Sequence, residues 1–137
     1  MVIVSGCLAD IKCRYDGVAK PCEKVIRLVA EGKAIPVCPE QLGGLPTPRI
    51  SAEIRGNRII RKDGVDVTEE FHRGAQEALK LAKLIGADLA ILKARSPSCG
   101  SGKIYDGSFT GTLRVGNGVF AEQCKNNGMA VKTEEEI

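Results

Sequence analysis

Short apolar runs alternate with helical stretches along the whole chain. Val2 to Val4 forms a continuous apolar run of the kind a buried strand requires. The loop SGCLADIKCRYDG follows, and a helix is expected to begin near Pro21, since a proline in a first helical turn gives up no hydrogen bond. Cys22, Val25, Ile26 and Val29 then recur at three- and four-residue steps as one apolar face that ends at Gly32. Ile35 to Val37 reads as a second strand. The next stretch, CPEQLGGLPTPR from Cys38 to Arg49, has three prolines and a glycine pair, and is expected to be a shaped loop, neither regular helix nor strand.

Beyond that loop, AEIRGNRIIRKDG alternates about Gly56-Asn57 and predicts a small β-hairpin whose exposed side carries Arg55, Arg58 and Lys62. Thr68 is the expected cap of a long helix, with Glu69 and Glu70 in the first turn, where the helix dipole favours acids. Its buried stripe is Phe71, Ala75, Ala78, Ala82 and Ile85, and Gly86 closes it. Asp88 to Leu92 is a third strand, leading into KARSPSCGSG. Residues Gly118 to Asn127 are a shorter helix, and Met129 to Val131 a fourth strand before the acidic end TEEEI. Strands alternating with helices predict an α/β fold: a single domain over residues 1–137, with a mostly parallel sheet covered by helices on both faces in a Rossmann-like three-layer sandwich, plus the small hairpin excursion.

A chain of 137 residues can bury such a core without disulfide staples. The opening MVIVSGCLAD has no basic leader, and no run approaches the roughly 18 apolar residues of a membrane span, so a cytoplasmic protein with no membrane partner is expected. In that compartment six cysteines are better read as ligands or catalysts than as disulfides. Net charge is a modest +3 and the aromatics are few, which leaves little material for a platform that stacks single-stranded bases; nucleic acid is not an expected partner. The oligomeric state is left open.

Cys7, Cys38 and Cys99 differ from the other thiols in standing just beyond apolar strand-like runs, among glycines, prolines and serines. Loops at the carboxyl ends of parallel strands converge on one crevice, so these three thiols are expected to meet. Three thiolates can hold three irons of a [4Fe-4S] cluster and leave the fourth iron open for Lewis-acid chemistry. A closed zinc site would need a fourth ligand, for which Cys13 is the nearest candidate. Cys22 and Cys124 lie at helical spacing among apolar neighbours and read as packing residues. The single histidine, His72, lies next to Phe71 on a helix and reads as surface or core edge.

Glu40 stands two residues after Cys38 and is either a carboxylate poised to move protons beside a metal or a solvated loop residue. Ser98 is either a hydroxyl donor to a substrate or a turn former. Arg14, Tyr15, Asp16 and Gly17 either line the mouth of a pocket or form a turn in which Arg14 pairs with Asp16. Neither a dinucleotide fingerprint nor a phosphate loop occurs. Two readings from other classes stand beside the enzyme: a structural zinc protein, and a small RNA-associated module using Arg55, Arg58, Arg61 and Lys62.

In this order, SGCLADIKCRYDG, PVCPEQLGGLPTPR and KARSPSCGSG resemble the three signatures of a formerly uncharacterised bacterial family that includes thiouracil desulfidase. The resemblance spans nearly the whole chain. It implies a [4Fe-4S] cluster on Cys7, Cys38 and Cys99 with one iron not ligated by protein, Glu40 as acid and base, and Ser98 as its companion hydroxyl. The implied substrate is a small thiolated nucleobase such as 2-thiouracil. Its sulfur would be captured at the open iron and replaced by oxygen from water activated by Glu40, leaving as sulfide with no net redox change.

Overall fold

In the computed structural model, which describes residues 1–137, four of the strands form one parallel sheet. They are β1 (Val2–Ser5), β2 (Ala34–Val37), β5 (Leu89–Leu92) and β8 (Ala130–Thr133), in the order β2-β1-β5-β8. Between them run α1 (Glu23–Ala30), α2 (Pro39–Leu42), α3 (Thr68–Leu84) and α4 (Val119–Asn126). The pleat sends neighbouring side chains to opposite faces. Accordingly Ile3, Ala90 and Leu92 join Ala75, Ala78 and Ala82 of α3 and Phe120, Ala121 and Cys124 of α4 in one core. Val4 and Ile91 join Leu8 and Val25 on the other face, under α1. The expected parallel sheet with helices on both faces is therefore present.

Two antiparallel hairpins stand off this sheet. β3 (Ala52–Arg55) pairs with β4 (Arg58–Arg61) about Gly56-Asn57, as the alternation predicted. They share a small core of Ile54, Ile59, Val67, Phe71 and Ile104. The second, β6 (Lys103–Tyr105) with β7 (Leu113–Val115), had no readable signal, because its strands are short and all of β7 is exposed, so no apolar face marks it.

Three local expectations are corrected. The Cys38–Arg49 segment contains a regular turn of helix, α2, started by Cys38 as cap and Pro39 in the first position. Thr68 does not cap α3. Its buried hydroxyl accepts from the Ile59 N–H at 2.8 Å, tying helix to hairpin, while the Asp66 carboxylate accepts the Thr68 N–H at 2.8 Å. In α1, Ile26 is exposed, and Leu28 packs inward with Val25 and Val29 instead.

Sheet order decides where the site lies. From β1 the chain moves to β2 on one side, then returns across β1 to β5 on the other, so the order reverses between β1 and β5. In open parallel sheets that reversal leaves a crevice beyond the carboxyl ends of the strands. The loops after β1, β2 and β5 all open there, and they carry Cys7, Cys38 and Cys99.

Candidate functional site

Each of the three loops is shaped by contacts that the sequence prescribes. After β1, Gly6–Ala9 winds one 3-10 turn and stops at Asp10, whose φ of 69° is left-handed. A side chain at Gly6 would press within 3.2 Å of Cys13 Sγ, so glycine lets the Cys7 and Cys13 arms lie together. After β2, α2 is seated on α3 by backbone contact. A Cβ at Gly74 would fall 1.7 Å from the Pro39 carbonyl oxygen, and one at Gly43 would fall 2.0 Å from that of Glu70. After β5, the Ser96 hydroxyl accepts from the N–H groups of both Ser98 and Cys99 at 3.1 Å, folding the SPSCG turn. This turn rests on the start of α4, where Phe120 N–H donates to the Ser98 carbonyl at 2.8 Å. Gly118 allows that approach, since a Cβ there would meet the Ser98 backbone at 2.5 Å.

The loops enclose a cavity of about 380 Å³ whose wall includes Cys7, Cys38 and Cys99 together. Cys13 joins them. Cys124 is fully buried in the α3–α4 core and Cys22 is half-buried under α1; neither reaches the cavity, in keeping with packing roles. His72 is exposed on α3 and lies outside it.

Burial sets the character of the thiols. Loss of water pushes Cys7 up to about 11, opposed by the nearby charges of Arg14 and Lys93. Desolvation likewise raises Cys99, with opposing hydrogen bonds from Ser5 and Ser98. Cys38 runs the other way, down to about 7, chiefly because the Cys13 thiol hydrogen-bonds to it. In its thiol form Cys38 Sγ donates to the Cys13 carbonyl at 3.6 Å. All four are soft donors, of the kind that select thiophilic metals and iron–sulfur clusters. No three His, Cys, Asp or Glu side chains stand close enough to share one metal ion.

Glu40 and Ser98 meet across the cavity. Glu40 Oε2 accepts from Ser98 Oγ at 2.7 Å, and Oε1 accepts from Arg49 Nε at 3.0 Å, with the Arg49 and Glu40 side chains 7% and 14% exposed. Arg49 is itself fixed, donating to the carbonyls of Cys13 and Pro46 at 2.9 and 3.1 Å and to the Thr47 hydroxyl at 2.9 Å. Ser98 Oγ also lies 3.6 Å from Cys99 Sγ. One oxygen of Glu40 is thus clamped by a guanidinium, while the other faces an exchangeable hydroxyl proton beside a thiol.

The turn reading of Arg14 to Gly17 holds, and the pocket reading holds for Arg14 and Tyr15 but not for Asp16 or Gly17, which lie outside the cavity wall. Arg14 pairs with Asp16 at 3.3 Å, Val18 N–H donates to the same carboxylate, and Arg14 and Tyr15 line the cavity. The hairpin cations are engaged internally: Arg58 with Asp66, Arg61 with Asp63, and Arg55 with the Gly107 carbonyl. Lys62 lines the cavity instead of a phosphate-binding stripe.

Sequence reasoning gave no role to Arg49, Lys93, Arg95, Glu53, Tyr105 or Phe109, all of which line the cavity. Lys93 and Arg95 did leave a signal, as charges placed directly where a buried strand runs out. They are held from behind by the acidic C-terminal turn, Lys93 Nζ donating to Glu134 at 2.7 Å and Arg95 to Glu135 at 3.0 Å.

A family model described as 2-thiouracil desulfurase matches residues 2–136. The chain is 46% identical to uncharacterized protein YbbK of Bacillus subtilis (strain 168), over an alignment that takes in 100% of this chain and 97% of that one. It also superposes on a solved structure, the [4Fe-4S]-dependent thiouracil desulfidase TudS, with a TM-score of 0.95 at 44% identity, covering 99% of this chain and 91% of the other.

Proposed function

We proceed from the chain's family: it belongs to the 2-thiouracil desulfurases, and we infer that it is an enzyme that removes sulfur from a small thiolated pyrimidine, with dependence on an iron–sulfur cluster. The observation that carries this is the meeting of three strand-end thiols with a clamped carboxylate and a serine in one cavity. In this reading Cys7, Cys38 and Cys99 would hold a [4Fe-4S] cluster, and Cys13 is their neighbour on the cavity wall. Held by three cysteines, such a cluster would leave one iron without a protein ligand and would supply a Lewis acid for a soft sulfur atom.

The remaining work falls to the chain. Arg49 occupies Glu40 Oε1, so Oε2 is the atom that exchanges protons. It takes a proton from the water that adds to the thione carbon, and returns one to the departing sulfur through the Ser98 hydroxyl, 2.7 Å from the carboxylate. The balance is hydrolytic: C=S and water give C=O and hydrogen sulfide, with no electrons moved.

We place the enzyme in the cytoplasm as one working domain over residues 1–137, where its six cysteines stay reduced. Its substrate is a free small molecule and not a nucleic acid, a reading supported by the internal pairing of the hairpin arginines. No helix is long and apolar enough to cross a membrane. The test is anaerobic reconstitution with iron and sulfide, followed by metal counting, a visible spectrum, and assay of sulfide and uracil released from 2-thiouracil. The expected result is release that rises with cluster content and disappears in Cys7→Ala, Cys38→Ala and Cys99→Ala. Release by iron-free protein, or none from fully loaded protein, would overturn it.

A further inference from the structure

We infer that Phe109 is the wall on which the substrate's planar ring stacks, and that Glu53 is a positioning residue that holds it there. The inference rests on the desulfidase reading and deepens it, naming the class of thione the cavity selects: flat, conjugated rings over saturated or aliphatic thioamides.

The chain is poor in aromatics, yet both tyrosines and one of its three phenylalanines line this cavity. The other two phenylalanines, Phe71 and Phe120, are in the core. Phe109 is half-buried and has a φ of 59°, a left-handed conformation that is an outlier for a bulky side chain. Such conformations persist only where surrounding contacts impose them, and they collect at ligand clamps. Here the imposing group is visible. Glu53 Oε1 accepts from the N–H of Gly107 at 3.0 Å and from that of Phe109 at 3.1 Å, so one carboxylate oxygen reaches from β3 to grip the loop on both sides of Ser108.

Arg55, one turn of the pleat along the same strand, donates to the Gly107 carbonyl at 2.9 Å. Gly107 has a φ of 94°, and a Cβ there would fall 2.9 Å from the Ile54 carbonyl oxygen, so the loop backbone lies directly on β3. A loop that merely joined the short strands β6 and β7 would need neither the strain nor a carboxylate turned in from the cavity wall. A phenyl ring offers no hydrogen bond. What it recognises is a π face of matching size, and base–aromatic stacking of this kind is sequence-tolerant and substantial.

The experiment compares 2-thiouracil with 5,6-dihydro-2-thiouracil, which keeps the thione but loses the flat conjugated ring, on reconstituted holoenzyme. Phe109→Leu keeps apolar bulk and removes the π face. It is expected to raise KM for 2-thiouracil about tenfold, to lower kcat less, and to narrow the preference for the flat ring by a similar factor. Phe109→Tyr should restore both. Glu53→Ala should behave as Phe109→Leu, whereas Glu53→Gln, whose amide oxygen still accepts the two N–H groups, should stay near wild type. Circular dichroism and iron content confirm that each variant is folded and loaded. If Phe109→Leu misfolds, Phe109→Trp replaces it, with tighter 2-thiouracil binding expected. Equilibrium dialysis of 2-thiouracil separates this inference from the reading beneath it. Wild-type protein that binds the base more tightly than Phe109→Leu but releases no sulfide would refute the desulfidase while leaving the wall in place. Equal binding, or an unchanged preference in Phe109→Leu, would overturn the wall whatever the turnover.

Discussion

Replacing Gly74 by alanine should damage the proposed active site from the far side of a helix. Gly74 lies inside α3, where alanine is favoured over glycine by about 1 kcal/mol of helix propensity. A propensity argument alone therefore predicts stabilisation. Against it stands the seat of α2. The added Cβ would lie 1.7 Å from the Pro39 carbonyl oxygen, 2.8 Å from its carbon and 2.9 Å from the Gly43 nitrogen. These are backbone atoms of a hydrogen-bonded turn and cannot rotate aside. To bring the closest contact from 1.7 Å out to 3.0 Å, α2 must withdraw by about 1.3 Å. Overpacking of this severity costs about 1–3 kcal/mol, more than the propensity gain.

The withdrawal carries Glu40 with it, because Glu40 sits on that turn and its contacts to Ser98 and Arg49 are only 2.7 and 3.0 Å long. A misplacement near 1 Å can cost about 10²-fold in rate. Gly74→Ala is therefore expected to lower the urea midpoint and to reduce kcat for sulfide release about 100-fold in loaded enzyme. The control is Gln76→Gly, exposed on the same helix, which should lose about 0.5–1 kcal/mol of stability through propensity with kcat unchanged. A Gly74→Ala protein as stable and as active as wild type would refute the seating argument. One that loses stability but keeps its kcat, as Gln76→Gly should, would refute the link from seat to carboxylate.

Glu40→Gln should keep the cluster, as measured by iron content, while kcat falls about 10²- to 10⁴-fold, because an amide cannot exchange the proton; a normal rate with the cluster intact would remove the assignment. Cys124→Ala should retain all iron and lose about 1 kcal/mol on urea unfolding, since its fully buried thiol packs only against apolar neighbours; iron loss there would show that the wrong thiols had been chosen. Asp66 is held down to about 2 from 3.8, first by Arg58 and then by Thr68. Its stabilising contribution is therefore complete above pH 3.8 and disappears as pH falls through about 2, so Asp66→Asn should flatten the loss of stability across that window, and an unchanged acid limb would count against the Arg58 contact.

How much of this was legible in the sequence follows from the distance over which each feature is encoded. The four sheet strands and the three longer helices were visible because their apolar periodicities are local and repeat. The thiol trio was visible because turn formers after a buried strand place a side chain at the strand end, and parallel strands send those ends to one edge. The turn α2 was not, since a single helical turn contains no repeat to read. The cap of α3 misled because Thr68 has the right chemistry for capping, but its hydroxyl is committed to Ile59 across the hairpin. The Glu53 clasp joins residues 54 and 56 positions apart, and the Lys93–Glu134 pair spans 41. Such contacts exist only after folding, and nothing in the local pattern around Glu53 or Glu134 distinguishes it from a solvated acid.

Backbone strain gives an independent test of where this fold concentrates function. Only three residues other than glycine have positive φ: Asp10, Arg95 and Phe109. Arg95 and Phe109 line the cavity, and Asp10 ends the short turn that presents Cys7 to it. None of the three lies in the α3–α4 core or under α1, where the chain is free to adopt relaxed geometry. Left-handed non-glycine residues cost about 1–3 kcal/mol apiece, a large share of the roughly 5–15 kcal/mol that keeps a domain folded. A chain that places all of them around one crevice is stabilised elsewhere, by its alanine-lined helix packing and its parallel sheet, and spends that stability on holding side chains where relaxed loops would not. Relaxing one of these positions should therefore trade function for stability. Arg95→Gly removes the strain together with the Glu135 pair, which at a separation of 3.0 Å and on a partly exposed rim contributes about 0–1 kcal/mol. The variant should unfold at an equal or higher urea concentration than wild type while its KM for 2-thiouracil rises. A lower midpoint with unchanged KM would show that Arg95 is held by structural need and not by the site.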